Sequence, residues 1–215
     1  HEALISFSNA AFYDGRLITI PDRQINQRAD SPAALDANDP QAPQYASDAL
    51  LASPISFIKV ANGVYESRCN LAEAQVIAGT VRELLNREIG LSIGIVAFSE
   101  AQQTEIETAL ESLAAEDPQF ATLLEREYLR EDNGQFNGLF VKNLENVQGD
   151  ERDIILLSIC YAPGPSGKML MNFGPINQRG GEKRLNLGLL AGDWRLVGKS
   201  HAAIRPDDAI DGLRL

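Results

Sequence analysis

A run of charged residues lies directly against an apolar run in the second half of the sequence. Four charged residues, at positions 150 to 153, follow Gln148-Gly149 and precede Ile154–Leu157. Gly149 has no side chain, so the backbone can approach a ligand closely there, and the Glu151 carboxylate can accept hydrogen bonds from ribose hydroxyls. These residues are compatible with the rim of a nucleotide-binding cleft. On composition alone, the alternative is a solvated charged turn before a core strand.

A second stretch, APGPSGKML, contains a Gly-Lys pair after a predicted strand and resembles part of a phosphate-binding loop. The full signature needs a further glycine ahead of Gly-Lys and a Ser or Thr directly after it. Ala162 and Met169 occupy those two positions. We therefore predict a surface turn, and no phosphate loop within this chain.

Gln102 lies where an apolar strand predicted over residues 91–98 leads into a helix predicted over 102–114. The free N–H groups at a helix start favour phosphates, which makes Gln102 a candidate nucleotide contact. A capping or surface residue is the alternative. Asn70 and Glu73 begin a helix predicted over 70–87, and a helix cap explains both residues fully.

The elements that must position these residues alternate along the chain. A helix over 119–129 and strands over 139–141 and 154–160 follow those already named. Strands that alternate with helices of ten or more residues imply crossovers and a mainly parallel sheet with helices on both faces. The fold class is therefore α/β, and ligands are expected beyond the carboxyl ends of the strands.

The amino-terminal quarter follows a different pattern. Residues 3–12 suit a short helix, whereas residues 21–54 are rich in Pro, Asp, Asn and Ala and have no clear period. We predict that residues 18–60 form a loop-rich insertion, in which 21–54 lie outside the core and a strand follows near 55–60.

The composition narrows the function classes. With 215 residues and a net charge of −11, the chain can bury a substantial core but lacks the basic surface of a free-standing nucleic-acid binder. No apolar run is long enough for a membrane span, and the first residues do not form a signal peptide, so we expect a cytoplasmic protein with no membrane partner. Cys69 and Cys160 are in no metal spacing, and we predict no metal ligands in this chain. The abrupt start suggests a piece of a longer protein.

Four segments together resemble one family. They are HEALISFSNAAFYDGRL at 1–17, IGIVAFSEAQQ at 93–103, VKNLENVQGDERDIILLS at 141–158 and GGEKRLNL at 180–187. They are similar to the second, carboxy-terminal RecA-like domain of superfamily 1 DNA and RNA helicases, in the up-frameshift-like branch and its bacterial relatives. The third segment is the longest and most specific match.

The resemblance implies a three-layer RecA-like sandwich, with residues 1–215 as a single domain of a longer helicase or translocase. It implies that ATP and Mg²⁺ are held mainly by an amino-terminal RecA-like domain outside this chain, and that the isolated chain is inactive. Single-stranded DNA or RNA would be the partner. Gly149, Glu151 and Gln102 would lie on the nucleotide side, and the residues near the nucleic acid would be Lys142, Asn143, Asn146 and Gln148.

The fourth segment departs from the family pattern. Relatives continue to an arginine that stabilises charge on the transferring phosphate, and Ala191 stands at that position here. Arg184 remains the nearest candidate for a catalytic arginine, although it comes early in the segment. A pair of compensating frameshifts and a degenerate paralogue both explain this departure. The alternatives to a motor domain are therefore a catalytically silent RecA-like domain for nucleic-acid binding or assembly, and a nucleotide-binding domain of an unrelated α/β enzyme.

Overall fold

The computed structural model describes residues 33–52, 56–147 and 150–169, the short pieces 9–10 and 15–16, and the backbone of 192–197. In chain order the elements are β1 (Ala33–Leu35), α1 (Ala42–Ala52), β2 (Phe57–Val60), α2 (Leu71–Asn86), β3 (Ile93–Ala97), α3 (Glu100–Glu116), α4 (Pro118–Tyr128), β4 (Glu131–Asp132), β5 (Gln135–Phe136), β6 (Phe140–Asn143), β7 (Arg152–Ser158) and β8 (Gly192–Val197).

Six of these strands form one sheet in the order β1-β2-β8-β7-β3-β6, and every neighbouring pair is parallel. At its centre, Ile93–Ala97 pairs residue by residue with Ile154–Ser158. The short strands β4 and β5 form a separate antiparallel hairpin. The predicted α/β class, the parallel sheet and its two central strands are confirmed.

Three of the helices begin at residues with capping side chains, of which Asn70 was predicted as a cap. The Oδ1 of Asn70 accepts from the N–H of Glu73 at the start of α2, and Ser99 accepts from the N–H of Gln102 at the start of α3. Asp117 caps α4, where Pro118 occupies the first turn. The predicted helices over 70–87, 102–114 and 119–129 are confirmed.

All four described helices pack against one face of the sheet. That core contains alternate residues of the central strands, Ile93, Ile95 and Ala97 from β3 and Ile154 and Leu156 from β7, together with buried side chains from α1 to α4. Helices on the second face stay a prediction.

On the second face, a smaller apolar cluster forms around Val96, Phe140 and Ile155, with Leu144, Val147 and Leu157. Gly94 lies beneath this cluster, and a Cβ there would come within 2.5 Å of the Phe140 ring. A side chain at position 94 would therefore push Phe140 away from the sheet.

The expectation that residues 21–54 of the predicted 18–60 insertion lie outside the core is wrong for the part that the structure describes. β1 belongs to the main sheet, and α1 after it buries Ala42, Ala46 and Leu50 completely, whereas β2 confirms the strand predicted near 55–60. The helix was hard to recognise because small residues replace large apolar ones where α1 packs closely on α2. At Gly79 of α2, a Cβ would lie 2.6 Å from Pro43 Cγ. Whether these residues are an insertion relative to other proteins stays a prediction.

The first predicted helix covers residues 3–12. Within that range the structure describes only residues 9 and 10, and both are helical. Cys69 and Cys160 are both free thiols. Among the described helices, none combines the length and the apolarity needed to cross a bilayer.

Candidate nucleotide and nucleic-acid site

The segment that joins β6 to β7 starts with a tight turn at the carboxyl end of β6. Asn143 is buried, and its Oδ1 accepts a hydrogen bond of 3.1 Å from the N–H of Glu145. The N–H of Asn146 donates to the carbonyl of Asn143 at 3.0 Å, and that of Leu144 donates to Ala97 of β3 at 2.9 Å. The turn is therefore fixed to the sheet, and it leaves Asn146 exposed at the carboxyl edge.

Lys142, predicted to lie near nucleic acid, is held in an ion pair. Its Nζ donates to Asp150 Oδ2 at 2.7 Å, with the two side chains 37% and 21% exposed. The same Nζ lies 5.2 Å from the centroid of the Phe140 ring. The pair ties the two ends of the segment together, so Lys142 is a partly neutralised cation that a phosphate would have to share with Asp150.

Arg152 anchors the other end of the segment. It is buried, and its Nη1 donates to the carbonyl of Glu151 at 2.6 Å while its Nε donates to that of Gly138 at 2.8 Å. The guanidinium carbon lies 5.2 Å from the Phe136 ring centroid and 4.9 Å from that of Phe140. Burial lowers the pKa of Arg152, although Asp150 and Glu127 oppose the shift. These contacts fix the backbone of Glu151.

The Glu151 side chain itself is exposed, and it makes no hydrogen bond or ion pair within the described part of the chain. Its carboxylate can therefore accept hydrogen bonds from a ligand.

Asp153, next to Arg152, has a structural role. Its Oδ2 accepts hydrogen bonds from the N–H of Ser92 at 2.8 Å and from Ser92 Oγ at 2.7 Å. Burial acts to raise the pKa of Asp153, but these hydrogen bonds outweigh burial and hold the pKa below its usual value. Asp153 thus fastens the start of β7 to the residue that precedes β3.

Gln102 is completely buried, and its amide is fully engaged within the protein. Its Oε1 accepts from the N–H of Asn70 at 2.6 Å, and its Nε2 donates to Ser158 Oγ at 3.0 Å and to the carbonyl of Asn70 at 3.3 Å. Both amide hydrogens and the amide oxygen are engaged, and complete burial keeps the side chain from a ligand. We therefore correct the prediction of a nucleotide contact: in this structure Gln102 joins α2, α3 and β7 to one another.

Glu73 is the residue that the sequence reasoning underestimated. It is completely buried, and its Oε1 accepts hydrogen bonds from Ser158 Oγ at 2.7 Å and from the N–H of Cys160 at 3.0 Å. Asn70 Nδ2 donates to its Oε2 at 3.3 Å. A helix cap therefore does not account for this side chain. The signal in the sequence was its position four residues before Ile77, on the apolar face of α2.

Burial raises the pKa of Glu73 to about 7, although the hydrogen bonds from Ser158 and from the backbone of Cys160 and Ile159 oppose the shift. A carboxyl group with such a pKa changes charge near neutral pH. The network around it is therefore sensitive to proton uptake.

Glu73 also supports a strained turn directly after β7. The N–H of Tyr161 donates to the carbonyl of Ile159 at 2.8 Å, and Cys160 between them has a φ of +58°. A three-residue turn with a left-handed central residue is rare and strained. Because Glu73 accepts the hydrogen bond from the N–H of Cys160, its carboxylate holds this turn in place.

The structure separates two residues that were predicted on one nucleotide side. Glu151 immediately precedes β7, whereas Gln102 contacts Ser158 at the other end of that strand. From 152 to 158 there are six steps of roughly 3.3 Å, so the two ends of β7 lie about 20 Å apart. Glu151 is therefore at the amino edge of the sheet, and Gln102, Asn143 and Asn146 are at the carboxyl edge.

Four of the predicted site residues, Gln148, Gly149, Arg184 and Ala191, lie outside the described residues, and their roles stay predictions. The Gly-Lys stretch is a surface turn as predicted: the N–H of Gly164 donates to the carbonyl of Lys168 at 2.9 Å, and Gly167 has a φ of +75°. In the parts of the chain that the structure describes, no three His, Cys, Asp or Glu side chains are grouped to hold a metal ion.

Comparison with known proteins gives one family and two relatives. A family profile described as an AAA domain matches residues 1–197. The chain is 30% identical over 196 residues, 90% of its length, to the "Uncharacterized ATP-dependent helicase MG140" of Mycoplasma genitalium. It is 35% identical over 139 residues, 64% of its length, to the homolog of that protein in Mycoplasma pneumoniae. The matched regions span 14% and 12% of these two relatives.

Proposed function

This chain belongs to the AAA domain family, and on that premise we propose that it is the carboxy-terminal RecA-like motor domain of a superfamily 1 helicase or translocase that acts on single-stranded DNA or RNA. In this proposal it completes the ATP site of an amino-terminal RecA-like domain in the same protein. The names of the two relatives, both ATP-dependent helicases, support an ATP-driven activity. A cytoplasmic location and the use of Mg²⁺ are part of the same proposal.

The segment from Asn143 to Glu151 is the observation that supports this function best. It begins with an exposed turn at the carboxyl edge of the sheet and ends with an exposed carboxylate at the amino edge. The ion pair of Lys142 with Asp150 spans it, and Arg152 fixes its far end. The described parts of this segment can thus contact nucleic acid at Asn146 and nucleotide at Glu151.

The residues present fit the sugar of a nucleotide better than its phosphates. Glu151 offers a free carboxylate to ribose hydroxyls, whereas the chain has no phosphate loop. ATP supplies the free energy of hydrolysis when it is bound. The chain's own contribution is to bind the sugar at Glu151. Because the backbone of Glu151 is fixed, the bound sugar is held in a constant position relative to β7.

ATP hydrolysis by the full-length protein tests this function. We expect turnover that rises severalfold when oligo(dT) or oligo(U) is added, and no turnover by residues 1–215 alone. Comparison of the two oligonucleotides distinguishes a DNA track from an RNA track. The proposal fails if the full-length protein hydrolyses no ATP above a no-enzyme control with either oligonucleotide, or if residues 1–215 alone turn over ATP at the full-length rate.

The second candidate function is a catalytically silent domain for nucleic-acid binding or assembly, and Ala191 favours it. An arginine placed on the transferring phosphoryl group is worth roughly 10³–10⁵ in rate where it has been measured. If the gene encodes alanine at position 191, the full-length protein should be a very slow ATPase, and Ala191→Arg should restore turnover. Robust turnover with Ala191 confirmed by resequencing would exclude the silent domain.

A further inference from the structure

A tight turn with two left-handed residues lies beside the carboxyl edge of the sheet. Glu66 and Cys69 exchange backbone hydrogen bonds of 3.0 and 2.9 Å, and these close a two-residue turn at Ser67-Arg68. The φ angles of Ser67 and Arg68 are 51° and 68°. Asn and Gly tolerate this conformation, whereas a residue with a longer side chain is strained in it. Arg68 therefore occupies a backbone conformation in which glycine would make the turn more stable.

The turn is fixed from two sides. Ser99 Oγ, at the end of β3, donates to the carbonyl of Arg68 at 2.6 Å. The N–H of Tyr65 donates to the carbonyl of Pro163, after β7, at 3.1 Å, and the ring of Tyr65 lies 5.1 Å from that of Tyr161. These contacts hold the turn over the carboxyl ends of the two central strands.

The Arg68 side chain is free to bind a ligand. It is exposed, and within the described part of the chain its guanidinium makes no hydrogen bond and no ion pair, although Glu66, two residues before it, is also exposed. In a chain with a net charge of −11, this exposed cation, held on a fixed turn at the carboxyl edge, is a candidate to bind an anion. Backbone strain of this kind is concentrated at ligand clamps.

We propose that Arg68 binds a backbone phosphate of the single-stranded nucleic acid. This inference rests on the proposed function and adds a contact that none of the four matched segments contains. β3 lies next to β6 in the sheet, at about 4.8 Å. A single-stranded nucleic acid that crosses the carboxyl edge from Asn146 therefore passes the end of β3 and reaches the turn at Ser67-Arg68. A guanidinium can donate two parallel hydrogen bonds to a phosphate, and the fixed backbone reduces the entropy lost on binding.

The test measures the affinity of the full-length protein for fluorescent oligo(dT) and oligo(U) between 50 and 200 mM KCl, chosen as roughly the range over which phosphate contacts are lost. Arg68→Gln should weaken binding about 3- to 10-fold and reduce the slope of log K against log salt by about 0.7, the value for one phosphate of a single strand. Arg68→Lys keeps the charge and should lose less affinity. Arg126→Gln, an exposed arginine of α4, is the matched control and should bind like the wild type.

The outcomes separate this inference from the function on which it rests. If the wild type binds no oligonucleotide, the proposed function and the inference both fail. If the wild type binds but Arg68→Gln has the same affinity and salt slope, only the inference fails. Equal losses for Arg68→Gln and Arg126→Gln would also overturn it, because they would reflect net charge alone. If Arg68→Gln raises the KM for ATP and leaves oligonucleotide binding unchanged, Arg68 contacts the nucleotide and the inference is wrong.

Discussion

Ser158 Oγ, at the end of β7, donates a hydrogen bond of 2.7 Å to the carboxylate of Glu73, which is in the first turn of α2 and 85 residues away in sequence. Ser158 also accepts from Gln102 Nε2 at 3.0 Å. This buried chain of three side chains joins a strand to two helices at the carboxyl edge, and hydrogen bonds with Asn70 and with the N–H of Cys160 complete it. Substitution of one of these three side chains should therefore change the free energy of unfolding more than substitution of an exposed residue nearby.

The first prediction concerns the pH dependence of stability. The folded-state pKa of Glu73, about 7, is above its ordinary value of 4.5, so its contribution is fully present below pH 4.5 and is lost as the pH rises through about 7. Relative to Glu73→Gln, the wild type should lose up to about 3 kcal/mol of unfolding free energy over that window. Urea unfolding of residues 1–215 at several pH values measures the difference.

Glu125→Gln removes one exposed carboxylate from α4 and is the control for a change of charge alone. A difference between the wild type and Glu73→Gln that does not change with pH would mean that Glu73 titrates in the folded protein as it does in the unfolded chain.

The second prediction concerns Gln102. Gln102→Ala leaves the N–H of Asn70 and the hydroxyl of Ser158 without their buried partner, so it should destabilise the domain by about 2–4 kcal/mol. Gln103→Ala, one residue along α3, loses a part-buried hydrogen bond to Glu107 and should cost at most about 0.5–1 kcal/mol. The two variants should lower the urea midpoint by clearly different amounts. Similar midpoints would support the alternative that Gln102 is a capping or surface residue.

The third prediction tests whether α1 belongs to the core. Gly79→Ala places a Cβ 2.6 Å from Pro43 Cγ, which forces the two helices apart and should cost about 1–3 kcal/mol. Gly164→Ala is the control, because its Cβ would meet neighbouring atoms at ordinary distances of 3.6 and 3.8 Å. If Gly79→Ala is as stable as the wild type, α1 does not pack on α2 as described.

The fourth prediction separates the two carboxylates of the β7 start in the full-length protein. Glu151→Gln should raise the KM for ATP and leave stability unchanged, because the side chain is exposed and makes no contact in the described part of the chain. Asp153→Asn weakens the hydrogen bonds from Ser92, so it should lower stability and leave the KM unchanged. Identical kinetics for Glu151→Gln and the wild type would support the solvated-turn alternative.

The local features of the fold could be predicted from the sequence because they depend on neighbouring residues. Asn70, Ser99 and Asp117 start helices by accepting backbone hydrogen bonds within three residues of themselves. The apolar runs at 93–97 and 154–158 are typical of strands buried on both faces, and their alternation with helices requires a parallel sheet. The family resemblance came from the same contiguous segments.

Only the tertiary structure decided which side chains meet. The partners of Glu73 and Gln102 lie 85 and 56 residues away, and no periodicity or capping rule encodes contacts over such separations. The small residues of α1 looked like loop because close helix packing removes the large apolar side chains that would reveal a helix. The distance between Glu151 and Gln102 depends on the direction and length of β7. This strand places Glu151 at the amino edge of the sheet and the partner of Gln102, Ser158, at the carboxyl edge. The sequence alone thus determined most of the elements after residue 55 and the family resemblance, whereas packing determined which charged and polar groups are buried together and which remain free to bind.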